Sequence, residues 1–183
     1  FGSITGVSAT FVALFVIFGA FMEVTKTGQF FTDLACRIAG KSNGGPAKIA
    51  VISSGLFGSI SGVAAANVYS TGVFTIPLMK QLGYKRRFAG AVEAAASTGG
   101  MLMPPVMGAG AFVMAEITGI SYVNIVIAAM LGSLLLYVSM VVRVHFTAQR
   151  EELSGVKEED MVPIKQVLKD SYLLVPMIIL VVL

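Results

Sequence analysis

The chain has little with which to do metal or acid–base chemistry. Among 183 residues there is one cysteine, Cys36, one histidine, His145, and no tryptophan. A single cysteine excludes an internal disulfide, and with a single histidine it argues against a protein metal site. Charge is scarce too: 13% of residues are Asp, Glu, Lys or Arg, against 56% hydrophobic and a mean hydropathy of +0.84. That composition lies far from a soluble domain. The pI near 9.1 would suggest nucleic acid in a soluble protein. Here the placement of the charges excludes that partner, because no cation occurs in 1–25, 49–79, 88–142 or 170–183.

These cation-free gaps are the expected membrane-embedded stretches of an all-α polytopic membrane protein, a span needing roughly 20 residues. A helix is expected over 5–24, and a broken span over 88–118. A plain span follows over 122–146, and a further one starts over 171–183. Residues 27–45 read as an interfacial helix, with Phe30, Phe31, Leu34 and Ile38 at helical spacing among Asp33, Arg37 and Lys41. Residues 147–170 read as a polar cytoplasmic loop. Its run Glu158-Glu159-Asp160 is a solvated face, and a short helix is expected from Pro163 to Lys169. Phe1 is not methionine and no charged n-region follows it, so the chain is expected to be an internal fragment without a signal peptide.

The stretch 49–79 is long for one span and short for two. As one span it would put Lys80–Arg87 across the membrane from Lys26–Lys48. As a re-entrant hairpin over 47–80, with arms Ala47–Ser59 and Ala64–Lys80, it enters and leaves by one face. All thirteen cations then share a side, as the positive-inside rule requires.

Glycine is the residue present in excess, at 20 positions. It marks two breaks in apolar helices: Gly58-Ser59-Ile60-Ser61-Gly62, and Ser97-Thr98-Gly99-Gly100-Met101-Leu102-Met103-Pro104-Pro105. Breaking a helix at bilayer depth is tolerated where the freed backbone is buried in protein or lines a polar cavity. Paired breaks of this kind mark the site of a carrier. Carbonyls of Ser97, Thr98 and Gly99 are expected to be freed, and Pro104-Pro105 to open the next half-helix. Carbonyl and hydroxyl oxygens suit a monovalent cation such as sodium, with Ser59, Ser61, Thr98 and Asn67 adding side-chain oxygens. Amide ends suit a carboxylate substrate. Each hydroxyl can equally bond its own helix. Glu93 is either a coupling or proton-handling group or the partner of a basic loop residue.

The stretches Gly44-Gly45-Pro46-Ala47-Lys48, Gly58-Ser59-Ile60-Ser61-Gly62-Val63-Ala64-Ala65-Ala66-Asn67, Phe74-Thr75-Ile76-Pro77 and Ala91-Val92-Glu93-Ala94-Ala95-Ala96-Ser97-Thr98-Gly99-Gly100, then Met103-Pro104-Pro105, resemble the large membrane subunit of tripartite ATP-independent periplasmic (TRAP) transporters. The nearest subgroup is the fused permeases that work with TAXI-type binding proteins. The resemblance implies a fragment of an elevator-type ion-transporter fold with one re-entrant hairpin and one discontinuous helix. It implies sodium-coupled symport of an organic acid, such as a C4-dicarboxylate, across a bacterial or archaeal inner membrane. The implied partners are a TAXI-type periplasmic substrate-binding protein, a small membrane subunit or its fused equivalent, and membrane lipid. Sodium is the coupling ion and no other cofactor is implied. The family's first sodium site maps to Ser59, Ser61, Gly62, Asn67, Thr98, Gly99, Gly100 and Pro104, with substrate at Ser61, Asn67 and Pro105. Val63 stands where the family often has serine.

Two other readings remain: a non-transporting assembly subunit, and an intramembrane serine hydrolase with Ser61 as nucleophile. The latter needs a base within hydrogen-bond reach.

Overall fold

In the computed structural model, the described residues are 13–175 together with 5, 6, 9, 10, 178 and 179. Among them all the regular secondary structure is helical. The helices are α1 (Ala13–Val24), α2 (Thr27–Ala39), α3 (Gly45–Ser61), α4 (Ala64–Gln81), α5 (Arg86–Gly100), α6 (Ala109–Thr118), α7 (Tyr122–Arg150) and α8 (Ile164–Lys169). Glu158–Asp160 and Asp170–Leu174 are short 3-10 turns. Residues 7, 8, 11 and 12 of the expected 5–24 helix, and 176, 177 and 180–183 of the expected 171–183 span, lie outside the described residues.

Helix α2 stops at Ala39, six residues before the expected end. Gly40 and Ser42 lead into Gly44, whose φ of 75° is left-handed and favours glycine. Pro46 then sits in the first turn of α3, where its missing N–H costs nothing. At the other end Gly62, with φ of 60°, caps α3 by donating its amide to the Gly58 carbonyl at 3.0 Å.

After Gly62-Val63 the chain reverses, and α4 runs back along α3. Ser54 faces Thr71 across the pair, and Gly58 faces Asn67. Both ends of this hairpin lie at the same end of α7. Near the start of α3, Lys48 Nζ bonds His145 Nδ1 at 3.1 Å, and Gly44 abuts Val144 and Ala148. Just beyond α4, Lys85 pairs with Glu151 at 2.7 Å and Gly83 abuts Leu153.

Helices α5 and α6 together run antiparallel to α7. Tyr84 and Ala89 cluster with Val144, and Gly99 sits beside Leu136 and Met140. Further along, Ala111 packs with Ile125, and the Phe112 and Tyr122 rings stack at 4.4 Å. Helix α7 has 29 residues, so it is about 43 Å long. Among the described residues it is the one helix long and apolar enough to cross a membrane. Gly99 lies near its midpoint.

Helix α3 is the hub, packed by α1, α2, α4, α5 and α7. Residues 151–163 fold back over α2. The Val156 amide bonds the Gly40 carbonyl at 2.8 Å, and Arg37 Nε donates to the Val162 carbonyl at 2.6 Å.

Candidate functional site

The tip of the hairpin meets the break between α5 and α6. Where α3 ends, the Ser59 carbonyl loses its helical partner and instead accepts the Val106 amide at 3.0 Å. Gly62 lies flat against Met107, and a Cβ there would come within 2.0 Å of the Met107 carbonyl oxygen. Gly58 and Gly100 touch backbone to backbone: a Cβ on Gly58 would lie 2.5 Å from the Gly100 Cα. Asn67, 0% exposed, threads its amide beside both glycines and donates to the Ser54 carbonyl at 2.8 Å. Ser61 lines a cavity of about 200 Å³ with Gly62, Val63, Met101, Met107 and Phe112, against Val16 of α1.

The break itself lies further along than the sequence suggests. Helix α5 continues through Gly100, and the loop spans Met101–Gly108. The Thr98 and Gly99 carbonyls, expected to be free, accept the Met101 and Leu102 amides at 3.1 and 3.0 Å. A tightened turn thus satisfies them. Pro104-Pro105 do not open α6, which starts at Ala109. Each proline disfavours helical geometry in the residue before it, so the tandem extends the loop through Pro104. The Pro105 and Val106 carbonyls lie 2.9 and 2.5 Å from the Tyr122 hydroxyl, which sits between them.

The structure therefore brings Ser59, Ser61, Gly62, Asn67 and Gly100 to one place, with Pro104 and Pro105 half-buried in the adjoining loop. Thr98 and Gly99 stand elsewhere. The Thr98 side chain is exposed and donates to its own helix at the Ala94 carbonyl, 2.8 Å away. Gly99 faces Leu136 and Tyr137 of α7. Ser59 likewise bonds its own helix, donating to the Leu56 carbonyl at 2.7 Å. Ser61 keeps the freer hydroxyl, with only a long 3.5 Å approach from the Val63 amide.

Glu93 is not paired with a basic loop residue. It points into the hairpin, where hydroxyls of Ser54, Thr71, Thr75 and Ser97 surround it. The pattern of breaks gives Thr71 and Thr75 no role, although Asn67, Thr71 and Thr75 form a polar stripe at intervals of four on one helix face. His145 is engaged with Lys48, thirteen residues along α3 from Ser61 and so about 20 Å away. It cannot serve Ser61 as a base.

Outside the membrane elements, Asp33 sits in a cleft with Gln166 and Asp170. Burial, and then the charge of Asp170, push its carboxyl up to about 6. Burial, then the Asp33 charge, also raises the Cys36 thiol. Glu158, fully exposed, is held low by its bond to Lys41.

The chain matches, over residues 1–183, the family described as "Tripartite ATP-independent periplasmic transporter, DctM component". It belongs to that family of transporter permeases. It is 31% identical over 147 residues to a C4-dicarboxylate TRAP transporter large permease protein of Pseudomonas aeruginosa, covering 79% of this chain and 34% of that protein. It is 32% identical over 105 residues to an isethionate TRAP transporter permease protein of Oleidesulfovibrio alaskensis, covering 57% and 16%. A protein of Sinorhizobium fredii called y4mL shares 29% over 136 residues, covering 74% and 32%. The chain spans about a third of the length of several curated relatives it matches.

Proposed function

We propose that the protein this chain belongs to is a secondary carrier in the inner membrane that moves an organic acid on a sodium gradient. The observation that carries this reading is the direct bond between two helix breaks, Ser59 carbonyl to Val106 amide. It lies beside Gly100, at about half the length of α7, which among the described residues is the one helix long and apolar enough to span. Irregular backbone at that depth is tolerated where protein buries it or it lines a cavity, and paired breaks of this kind are a feature of carrier sites. The names of the relatives support the substrate class, since C4-dicarboxylate and isethionate are both organic acids. A fused permease among them supports a small membrane subunit, separate or fused. The family's description supports a periplasmic binding protein, for which we retain the TAXI type.

The sodium site centres on Ser61, Gly62, Asn67 and Gly100, with Ser59 and Pro104 at its rim, and the substrate carboxylate meets Ser61, Asn67 and Pro105. Thr98 and Gly99 belong to the supporting helix. The hairpin enters and leaves by one face, a reading supported by Lys48 and Lys85 both meeting the Arg150 end of α7, and the positive-inside rule makes that face the cytoplasmic one.

The test is uptake by the full-length protein with its partner subunits in vesicles, as a function of external sodium. Ser61→Ala and Asn67→Ala are expected to demand more sodium for half-maximal uptake, while Thr98→Val leaves the curve unchanged. Uptake indifferent to sodium removes the coupling, and no uptake at all in a folded complex leaves an assembly subunit. Cysteines placed at Lys48 and Lys85 should both label from the cytoplasm. Native Cys36, its thiol raised by burial, should react slowly.

A further inference from the structure

Among the side chains described, Glu93 is the one acid that solvent does not reach, at 0% exposure. Four hydroxyls from three helices hold it. On Oε1 converge Ser54 of α3 at 3.0 Å, Thr71 of α4 at 2.5 Å and Ser97 of α5 at 3.3 Å. Thr75 of α4 bonds Oε2. No cation pairs with it among the described residues. The ionisable groups on the helices around it are all committed or remote. On α7 the Tyr137 hydroxyl donates to the Ala96 carbonyl at 2.7 Å. On α3 Lys48 is bound to Ser42 and His145 at the hairpin's open end. On α4 Tyr69 and Lys80 are exposed, as are Arg86 and Arg87 at the start of α5 itself.

A buried carboxylate without counter-charge is costly unless hydrogen bonds or a positive charge compensate it. The hydroxyls here can serve either form. Thr71 Oγ1 lies 2.9 Å from the Asn67 carbonyl, and Thr75 Oγ1 3.1 Å from the Thr71 carbonyl, each one turn back on its own helix. With the carboxyl ionised, the hydroxyl protons turn towards it. With the carboxyl protonated on Oε2, it donates its O–H to Thr75, which turns its own O–H to the Thr71 carbonyl. Thr71, Ser54 and Ser97 go on donating to Oε1. Both states are satisfied by hydroxyl rotation alone, with no helix moved. The hydroxyl oxygens sit at direct hydrogen-bond distance from the carboxylate oxygens, the spacing of a shared proton rather than of ligands drawn around an alkali ion. The stem is closed in as well: a Cβ on Gly72 would lie 3.1 Å from Glu93 Cγ.

We propose that Glu93 is an exchangeable proton-binding site built into the seam between the hairpin and the broken helix. One proton from bulk water adds to the carboxylate and leaves the same way. The site adjoins the proposed sodium site through Asn67, which donates to the Ser54 carbonyl and lies 3.4 Å from the Thr71 hydroxyl, and its protonation is read whether or not the protein transports.

The experiment is infrared difference spectroscopy of the full-length protein in lipid, between acidic and alkaline pH at fixed sodium. A protonated-carboxyl C=O band should grow as pH falls, vanish in Glu93→Gln, and shift in frequency in Thr75→Val, which keeps the acid but removes its bonding partner. If Glu93→Gln does not fold, the frequency shifts of Glu93→Asp and Thr75→Val make the assignment. A Glu93 band that is constant across pH means a permanently neutral acid and overturns the proposal. So does the lack of any carboxyl band sensitive to these substitutions, or a band that follows sodium concentration instead of pH.

Discussion

Helices α3 and α7 invert the usual relation between burial and polarity. Helix α3 carries Ser53, Ser54, Ser59, Ser61 and the internal glycines Gly55 and Gly58, yet nearly all of it is buried. Helix α7 is dominated by Leu, Val, Ile and Met, yet only Ile125, Ser133, Tyr137, Val144 and Ala148 are buried along its 29 residues. Leu131 is 68% exposed and Leu135 60%. In water such a helix would collapse onto the core. In lipid, burying leucine gains little, because the surroundings are already apolar. Close packing then falls to small residues and to hydrogen bonds that replace water. The hub of this fold is thus built of glycine and serine, while its leucines face outward.

The comparison breaks most sharply at the glycines. Gly58→Val drives side-chain atoms into the Gly100 backbone. It should cost at least about 3 kcal/mol, beyond the usual overpacking range, and abolish the folded full-length protein. Gly132→Val on α7, where a Cβ meets nothing within 4 Å, should stay within about 0.5 kcal/mol. Yield of monodisperse protein and denaturant unfolding in detergent read both, and equal effects would erase the distinction.

Truncating apolar side chains sharpens it. Ile49→Ala in α3, at 0% exposure, should cost about 2–5 kcal/mol by the same unfolding measurement. Leu131→Ala in α7 should fall within about 0.5 kcal/mol, although it removes the same amount of hydrocarbon.

Hydrogen bonding comes next. Asn67→Ala strands the Ser54 carbonyl and leaves a gap beside two glycines. A loss of about 1–3 kcal/mol is expected. Ser139→Ala on α7, whose exposed hydroxyl merely donates to Leu136 of its own helix, should be near neutral.

The smallest effect lies outside the membrane elements, at Asp33. Its folded-state pKa of about 6 stands above the ordinary 3.8, so the folded state holds the proton more tightly than the unfolded one. Stability from this group is therefore present below about pH 4 and is lost as pH rises to about 6, then changes no further. Asp33→Asn should remove that slope. An unchanged pH profile of unfolding would mean that Asp33 is not shielded by α8 and the 3-10 turn after it.

What the sequence determined by itself was that the chain is helical and where two of its sharpest turns, at Gly44 and Gly62, fall. The cation-free gaps pointed to embedded stretches, because a charge in lipid is expensive wherever the fold places it, and the gap over 88–142 holds most of the one described helix long and apolar enough to span. Gly44, Pro46 and Gly62 set the ends of α3 through backbone sterics that depend on no neighbour. The family was legible for the same reason, its signature being these local breaks. Which way each helix face turns was decided only by packing. Successive residues on a helix diverge by about 100°, so Ser97 reaches Glu93 while Thr98, next to it, faces outward and bonds Ala94. The shift of the break to Met101–Gly108 was decided there too, since a tightened turn after Gly100 keeps the ladder going. So was the meeting of Glu93 with Ser54, Thr71 and Thr75, because hydroxyls far apart in the chain become one cage only once three helices close around a carboxyl.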